Sequence, residues 1–193
     1  MAAPALTSRD CAVQSLAAIG NWRRFEPAIE AIFFAASGRT FTTCPERLSF
    51  RERWLGRYLE RWPELAFVLL ASPQHGRAAE PAVVGYLVGC LDNPAQSPIF
   101  SDLGYFQDLA PECARFPAHL HINLAPSVRG LGLGGRLIEA FAAAARQAGA
   151  PGLHVVTAPD ARNVGFYRRQ GFVEAARASW NGKTVTMLGR PLH

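Results

Sequence analysis

The chain has 193 residues, 49% of them hydrophobic and 18% charged, with a formal net charge of +5. These values are typical of one globular domain with a sizeable core. They exclude a membrane-spanning protein, because the longest apolar run, Leu65 to Ala71, is too short to cross a bilayer.

Three further bulk features limit the partners that we expect. Arginines are scattered among acidic residues, whereas nucleic-acid binders cluster their positive charge, so no nucleic-acid partner is expected. The four cysteines fit no zinc or redox spacing, so no metal is expected. The N-terminal residues lack the basic and apolar regions of a signal peptide, so we expect a cytoplasmic protein with no membrane partner.

Two helices are predicted in the first third of the chain. Apolar residues at helical spacing indicate a helix over residues 20–37, ended by Gly38. A second helix is expected from about Ser49 to Trp62 and is stopped by Pro63.

A hairpin and an irregular segment follow. The apolar runs at residues 65–71 and 82–91 predict two paired strands joined by a polar turn. Residues 92–117 carry four prolines and several aromatics, which a disordered linker would not retain. We interpret them as an ordered insert with a short helix near the acceptor side; the alternative is a loop attached to the core.

The last third of the chain alternates strands and helices. The predicted elements are a strand at 119–124, a helix at 134–148, a strand at 152–158, a helix at 161–170 and a hairpin turning at Asn181-Gly182. Asp160 is the expected N-cap of the second of these helices. Leu137, Ile138, Phe141 and Ala145 share one face of the first, which Gly149 closes. This order predicts a single α/β domain over residues 1–193 with a mixed sheet.

The stretch "RGLGLGG", residues 129–135, satisfies two glycine patterns at once. Gly130, Gly132 and Gly135 match a dinucleotide fingerprint, while Arg129, Gly132 and Gly134 match a loop that binds the pyrophosphate of coenzyme A. A dinucleotide fold needs two βαβαβ halves, and only 58 residues follow Gly135. We therefore favour the second pattern, in which backbone N–H groups and a helix N-terminus hold phosphate.

Two motifs together resemble the GNAT superfamily of acetyl-CoA-dependent N-acetyltransferases. "INLAPSVRGLGLGGRLI" is similar to its strand–loop–helix motif, and "NVGFYRRQGF" is similar to the short helix that follows. The resemblance covers residues 119–190 well and the N-terminal half by element order. "FPAHLHINLAPSVRG" also resembles the acetyltransferase-like domains associated with O-GlcNAcases and their stand-alone bacterial relatives.

The resemblance implies a fold and a set of cofactor contacts. The fold would be a mixed, mostly antiparallel sheet of about six to seven strands with helices on both faces. Acetyl-CoA would be the co-substrate, and its contacts would come from the end of the strand, the glycine loop and the short helix. These candidate residues are Leu124, Arg129, Gly130, Leu131, Gly132, Leu133, Gly134, Gly135, Asn163 and Phe166.

The resemblance also assigns a general acid. Tyr167 matches the tyrosine that these enzymes place near the sulfur, while a tyrosine that only packs beside Phe172 is the alternative. Many family members carry an asparagine seven residues before this tyrosine. Here that position is Asp160, and Asn163 lies four residues before it. Asn163 therefore either contacts the cofactor arm or only begins the helix.

Alternation places His119, His121 and Asn123 on one face of a strand. His121 and Asn123 are candidate catalytic residues, because imidazole titrates near neutral pH and could accept the amine proton through water. The alternative is that these three residues form a hydrogen-bonded cluster with a structural role. His119 joins Tyr105 and Phe106 as candidate acceptor-lining residues.

The predicted function is transfer of an acetyl group from acetyl-CoA to a small-molecule or protein amine by direct attack in a ternary complex. The alternative is a non-catalytic module that binds acetyl-CoA, and a longer acyl chain is a third option. The identity of the acceptor is left open, as is the choice between a monomer and a homodimer.

Overall fold

A computed structural model describes residues 6–72 and 80–192. Seven strands in this part of the chain form one sheet, hydrogen-bonded in the order β1-β2-β3-β4-β5-β7-β6. They are β1 (Cys11–Ser15), β2 (Phe67–Ala71), β3 (Ala82–Cys90), β4 (Ala118–Leu124), β5 (Gly152–Thr157), β6 (Val173–Trp180) and β7 (Lys183–Pro191). β4 and β5 pair in parallel, and β1/β2, β2/β3, β5/β7 and β6/β7 pair antiparallel. The predicted mixed, mostly antiparallel sheet flanked by helices is confirmed.

The strand β1 was missing from the sequence prediction. It pairs antiparallel with β2 from Cys11↔Ala71 to Ser15↔Phe67. Only Cys11 of its five residues is buried, so the segment has little of the apolar signal on which strand prediction depends. The predicted hairpin of β2 with β3 is confirmed, and residues 73–79 of its polar turn lie outside the described residues.

The first two predicted helices exist with shifted bounds. Helix α1 spans Glu26–Ser37 after a short 3₁₀ turn at Trp22–Phe25, and Gly38 ends it with φ of 61°. The second helix starts at Cys44 rather than Ser49, because the Thr43 hydroxyl caps it by accepting from the Glu46 amide at 3.3 Å. It continues as α2 (Cys44–Arg51), a π turn (Glu52–Gly56) and α3 (Arg57–Arg61).

The chain divides into two compact units. The first comprises Met1–Gly89 and His121–Phe141, and the second comprises Cys90–Leu120 and Ala142–His193. Fully buried side chains of the first unit include Ile29, Leu55, Tyr58, Leu69, Leu87, Leu137 and Phe141. Those of the second include Phe100, Cys113, Leu153, Phe172, Met187 and Leu188.

The predicted insert, residues 92–117, is folded. It contains a 3₁₀ turn at Pro98–Phe100 and two short helices, α4 (Tyr105–Asp108) and α5 (Ala110–Arg115). Its last aromatic, Phe116, packs against β5 and β7, where Gly152 and Gly189 leave space for the ring. The insert is therefore joined to the sheet of the second unit by an aromatic core.

Two helices complete the fold, α6 (Leu133–Gln147) and α7 (Val164–Arg169). All four residues of the predicted apolar face of α6 are buried, which confirms that face. The prediction that Asp160 caps α7 was wrong. The helix begins after Asn163, whose side chain makes no cap bond, because successive turns at Ala158–Ala161 and Ala161–Val164 precede it. The hairpin turn at Asn181-Gly182 is confirmed, with φ of 50° and 73°.

Candidate functional site: a glycine loop with histidine and tyrosine groups

The loop between β4 and α6 is shaped by its glycines. A 3₁₀ turn at Pro126–Val128 follows the strand and is anchored by buried Val128. Gly130 and Gly132 then adopt φ of 82° and 76°, a region that residues with a Cβ enter only at a cost of about 1–2 kcal/mol. Two glycines of the motif are thus required by backbone conformation.

Open space lies over the same two glycines. A Cβ at Gly130 or Gly132 would meet no heavy atom within 4 Å, so a ligand group can approach this backbone closely. Helix α6 starts directly after them at Leu133 and runs for 15 residues. Its N-terminal end carries partial positive charge and amides without intrahelical acceptors. The backbone conformation of the loop, the open space above its glycines and the helix dipole of α6 therefore fit a bound phosphate group.

Arg129 lies at the start of this loop and is exposed. Its Nε donates to the carbonyl oxygen of Leu124 at 3.1 Å. This bond ties the guanidinium to the end of β4 and holds a positive charge beside the glycines, where it favours an anion.

Helix α6 is also tied to the N-terminal strand. Arg136, in its first turns, donates through Nη1 to the carbonyl oxygens of Ser8 and Cys11, both at 2.9 Å. These bonds fix the start of the helix relative to the chain at β1. The glycine loop consequently has rigid supports at both of its ends.

The end of β4 approaches β3 closely. The Ala125 amide donates to the Val84 carbonyl at 2.9 Å. A Cβ on Gly85 would lie 3.0 Å from Cδ2 of Leu124 and 3.3 Å from the backbone carbonyl oxygen of Asn123. β4 pairs in parallel with β5 at Ala118 and His119.

His121 and Asn123 each contact a buried tyrosine within the first unit. The Tyr58 hydroxyl lies 3.2 Å from His121 Nε2, and Asn123 Nδ2 donates to the Tyr86 hydroxyl at 2.7 Å. Trp54 contacts the His121 ring edge to face, with centroids 5.4 Å apart. Burial raises the pKa of Tyr86 above its ordinary value, so this phenol stays neutral.

These aromatic partners were missed from the sequence. Tyr58 and His121 are separated by 63 residues, and the fold alone brings them together. One usable signal existed for Tyr86, a phenol within the otherwise apolar run of β3, because buried tyrosines usually find a hydrogen-bond partner.

His119 lies in the second unit beneath the insert. It is 3% exposed, and its ring packs against Phe100 at 4.7 Å and Phe106 at 5.8 Å between centroids. On its other side it stacks with His154 at 5.4 Å. His119 is thus surrounded by buried aromatic rings, unlike the half-buried His121.

His154 is fully buried, and burial lowers its pKa to about 4. Its Nδ1 donates to the carbonyl oxygen of Phe116, since a carbonyl can only accept. The imidazole is therefore neutral near pH 7 and acts as a structural link between β5 and the insert.

Tyr105 and Phe106 are both 3% exposed. Tyr105 packs edge to face on Trp180 at 5.6 Å, and Phe106 contacts His119 and His154. The two rings form part of the core that joins the insert to the second unit.

Tyr167 has a buried ring, 5% exposed, between Phe166 and Phe172 at 5.2 and 5.5 Å. Burial raises the pKa of its hydroxyl, and that hydroxyl has no hydrogen-bond partner among the described residues. Nearby, the Thr157 hydroxyl donates to Asn163 Oδ1 at 3.1 Å, which joins the end of β5 to the start of α7.

The predicted site residues thus fall into two groups. His121, Asn123, Leu124 and the loop 129–135 belong to the first unit, and His119, Tyr105, Phe106, Asn163, Phe166 and Tyr167 belong to the second. Within residues 6–72 and 80–192, no three His, Cys, Asp or Glu side chains are placed to hold a metal ion. None of the described helices has the length and apolar character needed to span a membrane.

Comparison with known proteins supports one family. The model of the Acetyltransferase (GNAT) family matches residues 27–172. The chain is similar to the crystal structure of SsHAT at 28% identity and a TM-score of 0.69, covering 95% of this chain and 99% of that one.

Three more distant structures are similar in fold alone. Ard1 from Thermoplasma volcanium has 16% identity and a TM-score of 0.62, with 95% of this chain and 99% of that one covered. An agmatine N-acetyltransferase has 16% identity and a TM-score of 0.63, with 95% and 100% covered. A structure of the NatC complex, also similar in fold at 14% identity, contains CoA and a Gag peptide.

Proposed function

Because the chain belongs to the GNAT acetyltransferase family, we propose that it is an N-acetyltransferase that uses acetyl-CoA to acetylate an amine by direct attack in a ternary complex. The observation that carries the proposal is the loop with positive φ at Gly130 and Gly132, open above and followed by the N-terminus of α6. The family uses acetyl-CoA, and this loop fits its pyrophosphate.

The first step is binding of the acetyl-CoA pyrophosphate by the glycine loop. Backbone amides between Arg129 and Gly135 donate to it, whereas the amides of these two end residues already donate to the carbonyls of Pro126 and Gly132. The N-terminal end of α6 adds a favourable dipole. Arg129 supplies a full positive charge from its position at the end of β4. Leu131, which is 36% exposed, is assigned to the cofactor contacts of the same loop.

Acetyl-CoA supplies the thioester carbonyl that the amine attacks and the thiolate that leaves. The ammonium acceptor first has to lose a proton, and His121 takes it directly or through one water. Asn123, fixed by Tyr86, orients the acceptor amine beside His121.

Negative charge then develops on the carbonyl oxygen. Backbone N–H groups at the end of β4, around Leu124, stabilise that charge in the manner of an oxyanion hole. Gly85 supports this arrangement, because its missing side chain lets β3 and the Leu124 side chain approach closely.

Tyr167 donates the proton that the leaving thiolate takes up. Its raised pKa keeps the hydroxyl protonated near neutral pH, and an unengaged hydroxyl is free to donate. The donation is favourable when the phenol and the thiolate are adjacent. Asn163 and Phe166 are assigned to the cofactor arm.

The acceptor-lining roles of Tyr105, Phe106 and His119 remain predictions, as does the resemblance to O-GlcNAcase-associated domains. Because all three side chains are buried, they offer little surface for direct contact with an acceptor. We therefore expect the acceptor to be selected mainly by residues that line β4 and the helices of the first unit.

The second candidate is a module that binds acetyl-CoA without chemistry. It is favoured by one observation: β4 contains no Asp or Glu. The role of general base in the enzymatic candidate therefore depends on His121. Both candidates require the phosphate loop, so cofactor binding alone does not separate them.

The test is release of free CoA thiol by the purified protein, with acetyl-CoA and a panel of primary amines: agmatine, phenylethylamine and a short peptide with a free N-terminus. We expect at least one amine to raise thiol release tenfold or more above acetyl-CoA alone. Calorimetry with acetyl-CoA on the same sample confirms that the cofactor binds. Binding without amine-dependent thiol release would favour the non-catalytic module.

A further inference from the structure

His121 is held by a helix that departs from regular α geometry. The helical segment from Cys44 to Arg61 contains a π turn at Glu52–Gly56, and π turns within helices occur frequently at functional sites. The turn contributes Trp54, and the following helical turn contributes Tyr58. Both side chains contact His121.

The helix itself is firmly placed. Arg51, directly before the π turn, pairs with Glu26 and Glu30 of α1. Leu55 and Leu59, on either side of Tyr58, are essentially inaccessible to solvent. The burial of this helix face and the ion pairs of Arg51 restrict where the Tyr58 side chain can lie.

The geometry of the imidazole contact is specific. Tyr58 is 0% exposed, and its hydroxyl lies 3.2 Å from Nε2 of His121 with ring centroids 5.1 Å apart at 74°. Trp54 adds a second ring at 5.4 Å and 83°. Two perpendicular aromatic contacts and one polar contact thus fix both the plane and the rotation of the imidazole.

We propose that Tyr58 is a positioning residue that accepts a hydrogen bond from Nε2–H of His121 and so leaves Nδ1 as the nitrogen that takes the amine proton. The inference rests on the proposed function, because it gives His121 its base role. When Nδ1 accepts the proton, the imidazolium carries N–H at both nitrogens, and the bond from Nε2 to the Tyr58 oxygen is retained. The hydrogen on Nε2 therefore need not move during the step.

The first test reads the tautomer directly, without acetyl-CoA. Nitrogen-15 NMR of histidine side chains distinguishes Nε2–H from Nδ1–H imidazole, and the His121→Gln spectrum identifies the His121 signals. We expect Nε2–H in the wild type and a mixture of tautomers in Tyr58→Phe, which keeps the ring and loses the hydroxyl. Tyr86→Phe is the matched control: it removes a buried hydroxyl that bonds to Asn123 instead and should leave the His121 tautomer unchanged.

The second test is kinetic and uses the most active amine of the panel. Loss of one hydrogen bond to the base should lower kcat of Tyr58→Phe about fivefold to tenfold, with KM for acetyl-CoA unchanged within about twofold. His121→Gln should lower kcat by about a hundredfold or more.

The two possible failures can be told apart. An Nδ1–H tautomer in the wild type, or a tautomer unaffected by Tyr58→Phe, would overturn the positioning role whatever the activity. Wild-type turnover in His121→Gln would instead overturn the base assignment in the proposed function, and the role of Tyr58 in the reaction would fall with it.

Discussion

Tyr167 combines a buried ring with a hydroxyl that has no partner among the described residues. The hydroxyl is not among the buried polar atoms that lack a partner in the described residues, so a bound group can reach it. The raised pKa of this phenol also suits an acid that must stay protonated until a thiolate forms beside it. These features fit the proposed general-acid role, and the packing against Phe166 and Phe172 fits a structural role; removal of the hydroxyl alone separates the two.

The corresponding prediction concerns Tyr167→Phe. The variant keeps the ring contacts and loses only the donor, so kcat should fall at least tenfold while the Kd for acetyl-CoA changes by less than about twofold. Thiol release and calorimetry measure the two quantities on one preparation. Unchanged turnover in the folded variant would exclude Tyr167 as the acid.

His154 gives a prediction for pH. Its pKa is about 4 in the folded protein and about 6.5 in an unfolded chain, so between these values only the unfolded state binds the proton. Stability then rises with pH across that window and is lost as pH falls through it, by an amount on the order of 3 kcal/mol for this group.

Urea unfolding at pH ~7 and pH ~4.5 measures this effect in the wild type and in His154→Gln. The wild type should lose more stability on acidification than the variant, because glutamine does not titrate, and the other groups cancel in the comparison. Equal losses in the two proteins would show that His154 is not buried as a neutral imidazole.

At the scale of elements, the loop before α6 is where glycine is required for two separate reasons. Gly132 has a positive φ of 76°, and the space above it is open, where we propose that phosphate binds. Gly38 offers a matched control, since it has φ of 61° and equally open surroundings at the end of α1.

We expect Gly132→Ala and Gly38→Ala to lose similar stability, about 1–2 kcal/mol each, from strain in the left-handed region. Only Gly132→Ala should weaken acetyl-CoA binding, by tenfold or more, because its methyl group occupies the space that the phosphate approaches. Thermal unfolding and calorimetry provide the two readouts. Equal cofactor affinity in the two variants would contradict the phosphate-loop assignment.

The insert is attached to the sheet through Phe116. A Cβ on Gly189 would lie 2.6 Å from two carbons of this ring, and one on Gly152 would lie 2.5 Å from a third. These separations are shorter than real Cβ contacts. An added methyl group would lie between the Phe116 ring and the strand backbone, and neither can move away easily.

Gly189→Ala should therefore destabilise the protein by about 1–3 kcal/mol, and adding Phe116→Leu should recover part of the loss. Gly165→Ala in α7 is the control, because its nearest neighbour is the end of the Arg169 side chain at 3.6 Å and alanine favours helix. A double-mutant cycle measures the coupling. Additive effects would mean that Phe116 does not lie over Gly189.

For the whole molecule, the parts predictable from sequence are those with a local signal. The apolar face of α6, the turn at Asn181-Gly182 and the loop glycines each follow from spacing or from backbone preference. The start of α2 was missed because it depends on which of several polar residues caps the helix, here Thr43. The start of α7 was missed because two turns precede it and no side chain caps it.

The remaining features depend on contacts between distant residues. β1 exists because β2 pairs with it, and its own sequence is half polar. The separation of His119 from His121 could not be read from alternation, which places both on one face. Only the fold places one beneath the insert and the other beside Tyr58.

Transfer of an acetyl group from acetyl-CoA to an amine yields two products, and measuring both in one reaction tests the proposed function most directly. Free CoA and the N-acetylated amine are quantified by chromatography and mass spectrometry after incubation of the wild-type protein with acetyl-CoA and each amine of the panel. We expect equal amounts of the two products for at least one amine, and much less of both with Tyr167→Phe. Bound acetyl-CoA with no acetylated amine, or CoA released without it, would contradict the claim.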